Sequence, residues 1–269
     1  MRTHGLRFDV NCSILFTELP LLQRPAAARA AGFDAVEFWW PWDEPEPADK
    51  EADAFLAALR DAGTELVSLN FIAGDITAGE RGLLSIPAAR QRFRPNIPAC
   101  TELAARAGCS RLNAPYGNRI DPADPKLTAA QDELARENLE LAAQAAAKAG
   151  AMVLIEPINS VDVPRYPIDT SAKAIALIES IDVGNLQMLA DLYHLATMSE
   201  NLSHTLARHA NRIGHVQVAD APGRGAPGTG TIDFEPLFAQ LAGQGYAGRV
   251  GLEYIPNVPS NSAASLCWA

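Results

Sequence analysis

Four residues of this 269-residue chain form a chemically coherent set: Glu156, Asp191, Gln217 and Glu253. Each stands at or beside the end of a short apolar run, at 151–156, 186–191, 213–218 and 249–254. Three carboxylates and one amide oxygen make a hard, all-oxygen donor set. Such a set suits a divalent metal such as Mg2+ or Mn2+ and not a thiol-loving one. The competing reading is a group of structural salt bridges to arginine, and spacing alone leaves both open. His215 lies two residues before Gln217, so it faces the same side one layer deeper. There it is expected to be a core histidine bonded to a neighbouring acid, with a place behind the metal ligands as the alternative.

Residues so far apart need a scaffold that gathers them, and the sequence supplies one. Four alanine-rich segments end in Ala-Gly, at 31–32, 62–63, 107–108 and 149–150, and Gly245 repeats the role. Glycine just past a helix takes the left-handed conformation that ends it. A short apolar run follows nearly every time. This alternation predicts strands at 7–11, 34–38, 65–70, 110–114, 151–156, 186–191, 213–218 and 249–254. Helical patterns fall at about 20–31, 47–62, 88–107, 127–149, 170–181, 199–210 and 233–243, with a short last helix over 260–269. Pro25 should kink or split the first of them.

The strands are apolar along their length, as strands covered on both faces are. Eight strand–helix units without a long insertion give an α/β fold, a (β/α)8 TIM barrel, with 1–269 as a single domain. A doubly wound sheet is the disfavoured alternative. The predicted strand ends carry Asn11, Glu37, Asn70 and Asn113 besides the first four residues. Burying so much polarity costs several kcal/mol unless it is paired or metal-bound. Active sites of such barrels form at this end of the strands.

Composition narrows the function. The net charge of −10 and only five histidines argue against a nucleic-acid surface and a metal-dependent nuclease. A Schiff-base aldolase needs a lysine at a strand end. Lys50, Lys126, Lys148 and Lys173 all fall in predicted helices or loops. Cys12, Cys100, Cys109 and Cys267 lack zinc-site spacing and read as free thiols of a reducing compartment. With no signal-peptide pattern and no long apolar run, the expectation is a cytoplasmic protein without a membrane partner.

The residues also resemble a known family. The carrying segments are Phe71–Gly82, Leu154–Asn159, Asp191–His194, His215–Arg224, Pro227–Ile232 and Gly251–Tyr254, with Asn11–Pro20 and Ala35–Phe38. In that order they resemble the hydroxypyruvate isomerase family of the xylose-isomerase-like barrels, whose cousins are the ketose 3-epimerases. The resemblance implies that Glu156 and Glu253 both hold the metal and move the proton. It implies that Asp191 and Gln217 are the other two ligands, and that His194 contacts a substrate oxygen. Arg224 would lie near the metal-bound substrate, and Asp162 would bind substrate hydroxyls. Glu37 and Asn70 complete the expected substrate-binding set. A ketose 3-epimerase would use a histidine as fourth ligand, so a metal on His215 would favour that reading.

Isomerising an α-hydroxy carbonyl moves a proton between neighbouring carbons, so the intermediate enediolate needs stabilising. A chelating divalent ion acts there as a Lewis acid, and two flanking carboxylates serve as base and acid. For hydroxypyruvate the product is tartronate semialdehyde. A small acid substrate also needs a cation, and arginine matches a carboxylate with two parallel hydrogen bonds. Arg81, in the Gly79–Gly82 loop, is the first candidate and Arg224 the second; the bland alternative for Arg81 is pairing with Glu80 or Asp75. Trp39, Trp40 and Trp42 are expected to wall the pocket. His4, His204 and His209 read as surface residues. The expected partners are a small hydroxy-oxo acid, a 2-oxo-tetronate or a ketose as substrate, with a homo-oligomer left open.

Overall fold

The structure is a computed structural model, and it describes residues 2–266. Its strands are β1 (Arg7–Asn11), β2 (Ala35–Phe38), β3 (Glu65–Asn70), β4 (Arg111–Asn113), β5 (Met152–Ile155), β6 (Leu186–Asp191), β7 (Ile213–Val218) and β8 (Arg249–Leu252). They pair in parallel and in sequential order, and β8 closes on β1. Outside lie α1 (Arg24–Ala30), α2 (Asp49–Ala62), α3 (Arg90–Ala107), α4 (Pro125–Lys148), α5 (Ser171–Glu179), α6 (Leu192–Thr197), α7 (Leu202–Arg208) and α8 (Phe234–Gly243). The chain is a (β/α)8 barrel, as its sequence pattern predicts.

The helix ends follow local chemistry. Gly63 and Gly108 end α2 and α3 in the left-handed conformation. Asp124 caps α4 through the N–H groups of Lys126 and Leu127, and the Thr170 hydroxyl caps α5. Pro25 splits the first pattern: a 3-10 turn at Leu21–Gln23 precedes α1, and the proline falls in the first turn, where its missing N–H costs nothing.

Two patterns come out differently. The helix expected at 199–210 is preceded by α6, which starts directly after Asp191. Asp191 itself caps it by accepting the Tyr193 N–H at 2.9 Å. The last helix is a 3-10 segment, Ser262–Leu266, beside Asn261. Residues 267–269, with Cys267, lie outside the described part.

The apolar core lies between strands and helices, with Val10, Val36, Leu69, Val153, Val216 and Val250 buried. The barrel interior is polar instead. Asp9, Asn11, Glu37, Asn113, Glu156, Asp191, His215, Gln217 and Glu253 are all buried. The period of two puts Asp9 with Asn11, and His215 with Gln217, on the inner face. All four lysines lie on helices α2, α4 and α5, so none reaches a strand end. Cys12, Cys100 and Cys109 are buried free thiols. No helix among the described residues is long and apolar enough to cross a membrane.

Candidate active site

The inward polar residues form two layers. In the upper one, Glu156 follows β5 and Glu253 follows β8, each one residue past its strand. Glu156 Oε2 accepts from Asn113 Nδ2 at 2.8 Å. Its Oε1 lies 3.7 Å from His194 Nε2. Asp191 gives Oδ1 to its helix, and its Oδ2 lies 3.6 Å from His194 Nε2 and 3.5 Å from an Arg224 nitrogen. Glu253 is tied more tightly. Its Oε1 accepts from Trp39 Nε1 at 2.7 Å and Asn11 Nδ2 at 3.1 Å. Its Oε2 accepts from Arg224 Nη2 at 2.9 Å.

Crowding this many acids in a dry place shifts their titration. Burial, then the charges of Glu253 and Asp191, raises Glu156 well above the carboxylate range. Burial raises Asp191 as well, against the Arg224 guanidinium and with the charge of Glu253. Burial disfavours the charge on Arg224, but Glu253, Asp191 and Glu156 outweigh it and raise its pKa. Burial, then Arg224, pushes His194 far down, so the imidazole is neutral. The Asn159 backbone N–H donates to His194 Nδ1 at 3.3 Å, and its amide nitrogen lies at 2.7 Å. The proton therefore sits on Nε2, facing Glu156 and Asp191. That atom is a hydrogen-bond donor for a substrate oxygen and not a metal ligand in this state.

A divalent ion fits this donor set. Carboxylate oxygens of Glu156 and Asp191 lie within 4.8 Å of one another. The Gln217 Oε1 and Asn113 Oδ1 atoms are buried without a hydrogen-bond partner. Buried oxygens are rarely left so, and a hard cation among them would satisfy both the amide and the acids.

A cavity of about 160 Å3 opens over this layer, and Glu156, Glu253, His194 and Arg224 line it. Arg81, Asp162 and Asn70 complete its polar lining, while Asp191 and Gln217 are not on its surface. Asp162 accepts from Tyr193 at 2.6 Å and from Asn159 at 2.9 Å, which ties it to His194 through a shared amide. Arg81 Nη1 donates to the carbonyls of Ile76 and Glu80 at 2.8 and 2.7 Å. No carboxylate pairs with it among the described residues; Glu80 lies nearer Arg92 and also accepts the Asp75 N–H. Burial, then Arg224, lowers its pKa.

The loop that carries Arg81 is fixed by glycine. Gly82 has φ +115°, and a Cβ there would meet the Pro115 carbonyl oxygen at 2.0 Å. Arg224 owes its place to Asp220, to which the sequence pattern assigns no role. The buried Asp220 carboxylate accepts the N–H groups of Ala221, Gly228, Gly230 and Ile232 and so folds the loop after β7. Arg224 stands in that loop in the left-handed region, φ 55°. The glycines at 228 and 230 were the visible signal of a tight, acid-organised turn. Asn159 ends the Leu154–Asn159 segment, and its role shows only in its contact with His194.

Glu37 was expected at the substrate and is not there. It lies in the lower layer, buried, outside the cavity lining, bonded to His215 Nε2 and to Gln217 Nε2. Burial pushes Glu37 up to about 7, with the neighbouring Asp9 opposing. Burial, then Glu37, raises Asp9 well above its usual range. Burial lowers His215 to about 4. His215 is thus the acid-bonded core histidine expected. Asp9, Glu37 and His215 also cluster within 4.8 Å; Glu37 bonds His215 Nε2, while both Asp9 oxygens and His215 Nδ1 are buried without a partner among the described residues. The tryptophans divide as well. Trp39 lines the cavity, whereas Trp40 and Trp42 stack edge-on with each other and Trp42 with Phe55, away from it.

A closed parallel barrel whose polar mouth holds paired glutamates belongs to the xylose isomerase-like TIM barrels, and the family model of that description matches residues 25–268. A Streptomyces coelicolor protein provisionally named hydroxypyruvate isomerase is 51% identical over 97% of this chain and 95% of its own length. The hydroxypyruvate isomerase of Escherichia coli K12 is 35% identical over 98% of both chains. A 2-oxo-tetronate isomerase of Cupriavidus necator is 36% identical over 97% of this chain and 96% of its own. The chain belongs to the hydroxypyruvate isomerase family and is an isomerase.

Proposed function

We propose that this protein is a divalent-metal-dependent isomerase of small hydroxy-oxo acids, converting hydroxypyruvate to tartronate semialdehyde. The carrying observation is one small cavity that two glutamates face from the ends of β5 and β8, with an arginine, Arg81, that has no carboxylate of its own among the described residues. Glu156, Asp191, Gln217 and Glu253 would hold the ion, which when bound supplies Lewis-acid stabilisation of negative charge on the substrate oxygens.

The chain's own groups do the rest. Arg81 takes the substrate carboxylate and orients the three-carbon chain. One glutamate removes a proton from C3 and the other delivers one to C2, while the hydroxyl proton passes from O3 to O2. The Nε2–H of His194 and the guanidinium of Arg224 face the oxygens where charge develops. Trp39 and Ile158 shield that face of the cavity from water.

A 2-oxo-tetronate, one carbon longer, is the second reading, supported by the Cupriavidus relative. The ketose reading is the less supported one, since His215 gives its Nε2 to Glu37. The test offers hydroxypyruvate, a 2-oxo-tetronate and fructose in D2O, with and without EDTA, followed by NMR. Metal-dependent product from an acid alone is expected. Turnover of the ketose alone would overturn the reading. Product formation must be followed beside the label, since a shielded transfer hides exchange.

A further inference from the structure

Among the four oxygen donors at the mouth, Gln217 is unlike the others. A carboxylate presents an oxygen whichever way it turns. An amide presents an oxygen in one orientation and an NH2 group in the other, and only the first can meet a cation. Something must choose between them. Gln217 Nε2 donates to Glu37 Oε2 at 2.5 Å, which leaves Oε1 at the far end, buried and without a partner. Turning the amide over would set its carbonyl oxygen against a carboxylate, acceptor against acceptor.

The surroundings are shaped for this contact. Glu37 reaches from β2 across β8 to β7. It crosses at Gly251, where a Cβ would lie 2.1 Å from Glu37 Oε1 and 3.0 Å from Gln217 Cγ. The register of β2 against β3 also shifts between Val36 and Glu37, a device that re-aims a side chain. His215 Nε2 holds the other oxygen of Glu37, so the carboxylate cannot swing away.

We infer that Glu37 is a positioning residue that fixes the Gln217 amide with its oxygen toward the metal site, so that the fourth ligand is set from beneath by a buried carboxylate. The inference rests on the metal reading of the mouth given above. It also accounts for a glutamate at a strand end that touches no cavity.

The test exchanges the two groups. Mn2+ affinity is measured by EPR titration for the wild type, Glu37→Gln, Gln217→Glu and the double variant carrying both changes. Losing such an orienting partner lowers metal affinity by about 10–100-fold, and that loss is expected for Glu37→Gln. Gln217→Glu sets two carboxylates together and should also bind poorly. In the double variant the amide and the carboxylate have traded places, and binding should return to within about threefold of wild type on the same scale of effects. A merely structural role for Glu37 would give no such recovery.

A wild type that binds no Mn2+ would overturn the metal reading and this inference with it. Wild-type binding with an unchanged Glu37→Gln variant, or a double variant no better than the single ones, would overturn the inference and leave the metal reading standing. Should the variants not fold, 13C NMR of wild-type protein labelled at glutamine decides. The Gln217 Cδ resonance should move when Mg2+ is added, and a resonance that stays in place while Mg2+ binds overturns the inference.

Discussion

The two walls of the cavity carry the same residue type, each one residue past its strand, yet they are built differently. Glu253 has both oxygens engaged: Asn11 and Trp39 hold one, and Arg224 holds the other. Glu156 has a single close donor, Asn113, and its other oxygen faces the His194 N–H at a distance too long for a hydrogen bond. Glu156 is also pushed far up by burial and by its acidic neighbours. One wall is pinned at both oxygens and the other is loosely held, with its pKa pushed up. A near-symmetric reaction therefore runs between unequal partners, and the difference is set by neighbours rather than by the glutamates themselves.

The largest effects should come from the walls. Glu156→Gln and Glu253→Gln remove a proton carrier, and each should lower kcat by about 10²–10⁴-fold in steady-state assays of correctly folded protein. Full activity in either would end the two-glutamate mechanism. Arg81→Ala should lower kcat/KM for hydroxypyruvate by about 100-fold, the usual cost of truncating one partner of a buried charge pair, while any neutral ketose turnover stays unchanged. Equal losses on both substrates would remove the carboxylate role. Trp39→Phe takes one donor from the pinned wall alone. It should cost about tenfold in kcat, the worth of a hydrogen bond to a charged group, and shift the pH profile more than KM.

Heat and acid sharpen the same contrast. The folded state raises Asp9, Glu37, Glu156 and Asp191 above their unfolded values. Such acids bind protons more tightly when folded, so they stabilise the fold at low pH and lose that contribution as pH rises, for Glu37 and Asp191 through about 7. His215 and His194 are lowered and act oppositely, their contribution being lost as pH falls, for His215 through about 4. Four acids outweigh two histidines. The Tm of metal-free protein, measured by calorimetry, should fall by several degrees between about pH 5 and 7.5, and Mg2+ should reverse the fall. A Tm that rises across this range would contradict it.

Much of the fold is legible in the sequence because its signals are local. The strands β1, β3, β6 and β7 match the predicted runs residue for residue, since glycine stops and apolar runs bound them. The start of α6 is hidden because Asp191 serves as strand end, helix cap and candidate ligand at once, and a hydrophobic pattern shows only the first. The site is legible where strand ends deliver side chains directly, as at Glu156 and Glu253. It fails at Glu37, which lies inside β2 near its end and whose side chain reaches sideways over Gly251, a contact between residues 214 positions apart. Asn159 and Asp220 act through loop geometry, which periodicity does not encode.

The three buried thiols bear on how the protein can be handled. Burial raises Cys109 to about 12 and lifts Cys12 and Cys100 as well. At neutral pH the reactive thiolate is then scarce, on the order of 1 part in 10⁵ for Cys109, so oxidants and alkylating dyes should pass these positions by. Val161, 68% exposed at the cavity rim beside Asp162, offers the opposite environment. With Cys267 replaced by serine, a Val161→Cys variant would carry one accessible handle. A fluorophore attached there would sit beside the mouth and follow ligand entry in real time.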